Sequence, residues 1–547
     1  MTRPLGATPS LGRASALGAL GTLGSRGSGF VRTVIVAAAV GVGTGFADDY
    51  TIANTTPNVV YDLLLGGILT SVVVPVLVRA HREDDDGGTA FSQALLSTVA
   101  AGLVVVTVLA VLAAPLIVDA YQSGSVPPID HDRAVLFARF FLPQLLFYGV
   151  TATAGAVLNT RGRFGRDTAV PVLNNLVAIA TAVVFLALPG PRPPQAATAT
   201  TAQVLVLAIG TTLGVVVMAL ALVPSLRAAG VPWRWRFDLP RERLALTGRL
   251  AGWVLVAVAA SQTAFVVVTR LASSRQGVAA YANAYQLFQL PYAVVGVSVV
   301  SALLPSMSRH AAAGRPDLLR ADVSRGLRLA AVLVVPGSLA LAALAVPLAV
   351  AALHGAAGGQ RAVLVGQVLA VLALGLVPFT VHQMLLRSFY AAADSRTPAL
   401  LSVLVAVLTV GFDLGVAAAA PGPRRVVGLA AGFSAAYAVG AGVAAVLVRR
   451  RLGGRGSRTT RLLLRVTLAS AVAVGVGWLP ATAAGHLVTG TPGALLGLGL
   501  AGAIIPPLYL AGLRATRVRE VEPLLARLRR SGGASSTQAA STPTHTG

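Results

Sequence analysis

Apolar runs of about 20 residues recur along the whole chain, the length an α-helix needs to cross the hydrocarbon of a bilayer. Fourteen such runs are legible: 12–43, 47–79, 91–120, 134–159, 168–189, 202–226, 249–271, 278–308, 325–353, 362–387, 398–420, 426–448, 462–483 and 492–513. Lipid offers the backbone no hydrogen-bond partners, so only helices and closed barrels span it. A barrel would need short alternating strands, and the sequence contains none. The expectation is an all-α polytopic membrane protein of about 14 transmembrane helices. Composition agrees. Of 547 residues, 55% are hydrophobic and 11% charged, against about 25% charged in an average soluble domain. No long polar stretch marks a soluble domain. With no cysteine, disulfides, cysteine-ligated zinc, iron–sulfur clusters and thiol catalysis are excluded.

The formal charge is +24, from 43 basic and 19 acidic residues, and every basic residue is Arg. A nucleic-acid binder would carry this charge on a solvated domain; here the arginines lie between apolar runs. With the N-terminus inside, 33 arginines fall in cytoplasmic loops and flanks and eight fall opposite, at positions 133, 139, 192, 270, 275, 361, 424 and 425. That asymmetry follows the positive-inside rule and predicts both termini on the cytoplasmic side. Met1–Ser25 lacks the layout of a cleavable signal. The longest loop, 227–248, alternates Trp233 and Trp235 with Arg234 and Arg236. It reads as an interfacial segment on anionic lipid, or else as a partner site. Residues 514–547 read as a cytoplasmic tail, small and polar beyond Gly532 and largely disordered.

Charged residues within a span are costly and point to a pathway or site. Arg26 and Arg32 lie in GTLGSRGSGFVRTVIVAAAVGVG. Gly24, Gly27 and Gly29 predict a bent helix that can turn both guanidiniums into one cavity, unless Arg26 snorkels to the surface. The guanidinium fork suits phosphate and pyrophosphate. Asp48 and Asp49 open the second run, either favoured there by the helix dipole or placed at a cavity mouth. Asp62 lies deeper and can pair with an arginine of the first run. Asp413 sits in the eleventh run with Thr409 four residues before it on the same face. They can hold a sodium ion or carry a proton, or Asp413 can pair with another helix. Asn283, Gln286 and Gln289 share a face of the eighth run, as cavity lining or interhelical glue. Asn174 and Asn175 read as packing contacts, and His382 and Gln383 stay open. No His/Asp/Glu set has metal-ligand spacing, and the Walker motif is impossible without Lys. A secondary transporter without resident metal or cofactor is expected, not an enzyme.

Four segments carry a family resemblance. SRGSGFVRTVIVAAAVGVGTGFADDYTIANTTPNVV resembles the start of MurJ/MviN-type lipid II flippases, which read S-R-x-x-G-F-x-R and then an acidic segment leading to P-N. GAVLNTRGRFGRDTAVPVLNN, FQLPYAVVGVSVVSALLPSMSR and FYAAADSRTP resemble later family motifs in order over about 400 residues. The resemblance implies the MOP exporter fold: a six-helix bundle (1–226), the Arg/Trp-rich cytoplasmic linker (227–248), a second six-helix bundle (249–448) around a central cavity, and two added helices (449–513). It implies that undecaprenyl-pyrophosphate-linked peptidoglycan precursor is flipped from the inner to the outer leaflet of the bacterial plasma membrane by alternating access. Arg26, Arg32 and Asp48 match cavity positions, joined by Asn283 and Gln286 as substrate contacts. Asp413 and Thr409 are the ion-coupling candidates, using a Na+ or H+ gradient or the membrane potential. Cell-wall synthesis proteins are the implied partners. The chain departs from the pattern at Tyr61, Gly66 and Gln286, where charged residues are expected, and at Thr269, where the family's ion site has an acid. Two alternatives therefore stand: a paralogous exporter of another polyprenyl-linked glycan or amphiphile, and a non-transporting envelope-assembly scaffold.

Overall fold

A computed structural model describes residues 11–41, 44–63, 74–122, 127–161, 170–191, 198–238, 241–273, 277–357, 359–392, 394–420, 422, 424–453, 457–516 and 518. Most of the 514–547 tail and residues 162–169 of the second family motif lie outside the described residues, as does the side chain of Asp62. The described residues form α-helices and no strand. In chain order these are α1 (Leu11–Val40), α2 (Gly45–Leu63), α3 (Val74–Glu83), α4 (Thr89–Leu112), α5 (Ala114–Tyr121), α6 (Pro128–Phe141), α7 (Gln144–Thr160), α8 (Val170–Ala187), α9 (Thr201–Leu220) and α10 (Val223–Ala228). They continue as α11 (Arg241–Ser273), α12 (Val278–Ala312), α13 (Pro316–Ala357), α14 (Gly359–Leu374), α15 (Leu376–Ala391), α16 (Arg396–Ala419), α17 (Arg424–Leu452), α18 (Ser457–Leu487) and α19 (Thr491–Ala515).

Among the described residues each apolar run overlaps one helix or a helix pair; residues 64–73 of run 47–79 lie outside them. Among the described residues ten helical stretches are long and apolar enough to cross a membrane, and α14 with α15, bent by 45°, makes an eleventh. Runs 91–120 and 362–387, expected as single spans, are interrupted, whereas runs 134–159 and 202–226 carry a short break inside one membrane-crossing stretch, Pro128–Thr160 and Thr201–Ala228. Pro115 sits in the first turn of α5, Pro143 caps α7 and Pro224 opens α10. Proline has no N–H to donate and clashes with the carbonyl four residues back, so a helix restarts there more readily than it continues. Pro57, Pro336 and Pro347 nonetheless remain inside helices.

Side chains close two of the helix starts. Thr200 and Gln203 form a reciprocal capping box at the start of α9, which satisfies two orphan donors. Before α4, the Asp86 carboxylate accepts from Gly88 N at 2.9 Å and Ala90 N at 2.6 Å. The Ala90 amide, foremost among these contacts, holds the Asp86 carboxyl below its usual range.

The described chain divides into two compact units. The first comprises residues 1–287, 352–368 and 394–436. One of its cores is aromatic: Phe46 and Phe137 meet edge to face at 5.7 Å, Phe137 stacks on Phe141 at 5.6 Å, and Tyr50 meets Phe141 at 5.4 Å. Such pairs add about 0.5–1.5 kcal/mol each beyond their burial. The second unit comprises residues 288–351, 369–393 and 437–547. Its core joins α13 to α18 and α19 through Val332, Val335, Val466, Ala473 and Ala501, and Tyr509 donates its hydroxyl to the Val332 carbonyl at 2.5 Å. Phe379 is a second focus, 4.8 Å from Tyr292 and 4.9 Å from Tyr437.

The α18–α19 hairpin depends on small residues. A Cβ at Gly497 would lie 2.6 Å from the Ala481 carbonyl oxygen, whereas one at Gly499 would meet nothing within 4 Å. Backbone cannot yield as a side chain can, so Gly497→Ala is expected to cost about 1–3 kcal/mol through forced separation of the helices. Gly499→Ala is expected to melt with the parent. Thermal unfolding of the purified protein in detergent compares them; equal melting of both variants would contradict the close approach.

Candidate functional site

The polar residues singled out in the sequence gather mainly in the first unit, on α1, α2, α11 and the first turns of α12. Helix α2 explains part of this. Its residues Phe46, Tyr50 and Ala53 follow a helical period into the aromatic core, so Asp48, Thr51 and Thr55 turn to other faces. A small cavity is lined by Thr51, Thr55, Phe265, Thr269, Val278 and Tyr281. Thr269, the position where an acid was expected from the family pattern, thus faces this cavity. Its hydroxyl donates to the Phe265 carbonyl at 2.8 Å.

Asp48 is only 5% exposed. Its two oxygens accept from the backbone amides of Ala279 at 2.8 Å and Val278 at 3.3 Å. A carboxylate of α2 therefore caps the start of α12, where unsatisfied N–H groups and the positive dipole end favour an anion. The sequence did not foretell this partner: Asp48 stands in the first turn of its own helix, as the dipole reading has it, and its two oxygens meet the first amides of α12.

Asp49 points elsewhere. It is 1% exposed and accepts from Gln122 Nε2 at 3.3 Å. Gln122 in turn meets His131 Nδ1 at 3.1 Å, and His131 lies 3.6 Å from Asp119. Asp130 is buried beside Gly45, where a Cβ would stand 2.7 Å from its Oδ2. Arg133 spreads over the Phe46 ring at 5.5 Å. This network of Gln122, Asp130, His131 and Arg133 escaped the sequence reading. Polar residues at the end of an apolar run are ordinary, and nothing local tells which of them turn inward.

Arg32 lies on α1, half-buried and within electrostatic reach of Tyr50. Among the described residues no carboxylate pairs with it. The side chain of Arg26 lies outside the described residues, although its backbone belongs to α1. Next to Arg32, the Thr33 hydroxyl donates to Gln286 Oε1 at 2.8 Å. The structure thus brings Gln286 of α12 against the arginine-bearing helix. Asn283, one turn earlier, donates to the Ala279 carbonyl at 2.7 Å, which leaves its amide oxygen available. Asn175 donates to the Ser25 carbonyl and to Ser28 Oγ, at 3.1 and 2.9 Å, and ties α8 to α1 as a packing contact.

Asp413 of α16 is fully buried, and neither carboxylate oxygen has a hydrogen-bond partner among the described residues. Space for it comes from α17: a Cβ on Gly432 would collide with Asp413 Oδ1. The Thr409 hydroxyl, one turn before, donates to the Val405 carbonyl at 2.8 Å and keeps its lone pairs. A buried carboxylate without donors is costly unless it takes up a proton or a cation. In the second unit His382 is 2% exposed, with its ring edge-on to Tyr437 at 5.5 Å. Among the described residues no group of three His, Asp or Glu side chains has metal-binding geometry.

The Asp48 contact generates a measurable expectation. Asp48→Ala should leave the amides of Val278 and Ala279 unpaired, at about 1–3 kcal/mol of stability. Hydrogen exchange over residues 277–281 should then rise well above the parent level. Unchanged protection there would show that Asp48 does not hold this helix start.

Residues 36–493 match the family described as Lipid II flippase MurJ. A protein of Haemophilus influenzae named probable lipid II flippase MurJ is 29% identical over 412 residues, covering 71% of this chain and 78% of that protein. A solved structure titled "Lipid II flippase MurJ, inward closed conformation" superimposes with a TM-score of 0.74 at 18% identity, over 91% of this chain and 99% of that one. An inward-facing multidrug resistance MATE family transporter of the MOP superfamily superimposes with a TM-score of 0.64 at 16% identity, over 79% and 95% of the two chains. At such identities the two structures speak for the fold alone.

Proposed function

We propose that this chain, which belongs to the Lipid II flippase MurJ family, moves lipid II from the inner to the outer leaflet by alternating access. The match along residues 36–493 carries the reading, and the guanidinium of Arg32, which no carboxylate among the described residues pairs, supports it from the apolar helix α1. Guanidinium donates paired hydrogen bonds to a pyrophosphate, and these gain strength where water is excluded. Arg26 and Arg32 would take the pyrophosphate, and Asn283 and Gln286 would offer amides to the sugar–peptide headgroup. Asp48 would contribute by keeping the start of α12 in place. Residues 1–226 and 249–448 act in this reading as two six-helix bundles rocking about the 227–248 linker, with 449–513 appended and both termini cytoplasmic. No covalent bond changes, so neither nucleophile nor cofactor is required. Proteins of cell-wall synthesis are the partners that would consume the flipped lipid.

The test is complementation in a bacterium depleted of its own lipid II flippase, following lipid II that reaches the outer leaflet. The parent chain should rescue. Arg32→Ala, at equal membrane abundance, should lower flipping about tenfold or more, the scale of a charge-assisted hydrogen-bonded contact. Full activity in that variant would sink the pyrophosphate assignment. Failure of the folded, inserted parent chain to rescue would favour another polyprenyl-linked glycan or amphiphile as cargo. The observation on that side is Gln286, a neutral amide engaged by Thr33 where the family pattern carries an arginine.

Energy input is assigned to Asp413. Its oxygens lack donors among the described residues, and Thr409 offers a hydroxyl one turn away, a pair suited to Na+ or H+ exchange driven by a gradient or the membrane potential. In proteoliposomes, parent transport should accelerate under an imposed ion gradient and Asp413→Asn should not respond. An equal response of both proteins would remove Asp413 from the coupling step.

A further inference from the structure

Residues 231–238 (VPWRWRFD) run without helix between α10 and α11. Buried side chains of α4 hold them. Gln93 Nε2 donates to the Pro232 carbonyl at 2.8 Å. The Ser97 hydroxyl accepts from the Arg236 amide at 3.1 Å, and its single proton lies between the Gln93 carbonyl at 2.8 Å and the Arg234 carbonyl at 3.2 Å. Gln93 and Ser97 are 4% and 0% exposed, so these bonds are shielded from competing water. The segment is therefore a strap of fixed backbone.

In an extended backbone alternate side chains share a face. Trp233 packs against the core beneath the strap. Trp235 and Phe237 continue the ladder outward, with ring centroids 5.6 Å and 6.3 Å apart in succession. Trp235 is 65% exposed and Phe237 63%. Arg234 and Arg236 are interleaved with them and exposed; Arg236 also meets Asp238 at 3.3 Å, in the open. Two large aromatic side chains held in solvent by a rigid backbone gain nothing for the fold.

Depth identifies what covers them. Helix α4 presents an exposed apolar belt from Val104 to Leu112, the latter 73% exposed. Ser97 precedes Val104 by about 10 Å along the helix axis at 1.5 Å per residue. A strap tied to Ser97 lies just outside that belt, where the headgroup layer meets hydrocarbon. Trp is enriched at this level, and arginine there reaches phosphate. We propose that residues 233–237 form an anchor for anionic phospholipid, with Trp235 and Phe237 seated at the top of the acyl chains and Arg234 and Arg236 on the lipid phosphates. The occupant is bulk membrane lipid bearing net negative charge.

The test uses the full chain in lipid nanodiscs, with Trp253 and Trp478 replaced by Phe so that emission reports Trp233 and Trp235. Phosphatidylglycerol and phosphatidylcholine, each brominated high on the acyl chain, serve in turn as quencher in a mixed bilayer. Because Arg236 is shared with Asp238, about one arginine's worth of attraction is expected, or about fivefold preference for phosphatidylglycerol. The preference should fall to near unity in Arg234→Gln/Arg236→Gln and in molar salt, while quenching itself persists. Quenching by both lipids alike in the parent arginine chain would overturn the headgroup assignment. Quenching by neither would overturn the interfacial placement and leave the strap as a protein-docking surface. Native mass spectrometry of the unaltered four-tryptophan chain, comparing retained phosphatidylglycerol with and without the two arginines, gives a second readout if the Phe background folds poorly; equal retention would likewise overturn the assignment.

Discussion

Hydrocarbon offers no hydrogen-bond partners, and the structure of this chain follows from where its polar groups find them instead. The backbone satisfies itself by becoming helix. Hydroxyl side chains then spend their protons on carbonyls of their own helices, as Thr269 does on Phe265, Thr409 on Val405 and Ser470 on Val466. Some helix starts are closed by borrowed acceptors, locally in the Thr200–Gln203 box and at a distance where Asp48 reaches α12. Among the described residues the buried polar atoms left without a partner include both oxygens of Asp413.

The same constraint makes α2 a helix of two characters. Phe46 and Tyr50 commit one side to the aromatic core with Phe137 and Phe141. That commitment sets the rotation of the helix about its axis. Asp48 is thereby directed at the first amides of α12, and Thr51 and Thr55 at the cavity that also holds Thr269. Apolar packing positions the polar site, and a charge in the wrong register would cost several kcal/mol in lipid. Gly432 shows the complementary device, since the missing Cβ is what admits the Asp413 carboxylate.

Arg32 and Gln286 combine differently. Thr33 brings the amide of Gln286 against α1, so the group of α12 that meets this helix is a neutral hydrogen-bonding one. An amide recognises sugar hydroxyls and peptide groups but contributes no net charge to a pyrophosphate. The site is accordingly less cationic than the family pattern, and Arg26 and Arg32 carry more of the anion's binding in the proposed mechanism.

The features legible in the chain are local in origin. Hydropathy over about 20 residues placed the helices, and the arginine distribution predicted their orientation. The prolines and glycines marked breaks, although Pro57 and Pro336 could not be told from Pro143 and Pro224 without their surroundings. Family motifs supplied the fold and the arginines of the first span. The tertiary structure alone decided which polar groups meet. Asp48 caps a helix 230 residues downstream, and Thr33 reaches Gln286 across 253; Gln122 and Asp130 become neighbours of the buried acids only when α5 and α6 pack. A helix's existence depends on its own residues and the lipid around it, so it is legible in the chain. Its rotation and partners depend on complementary shape over many side chains distant in sequence, and no local pattern encodes that.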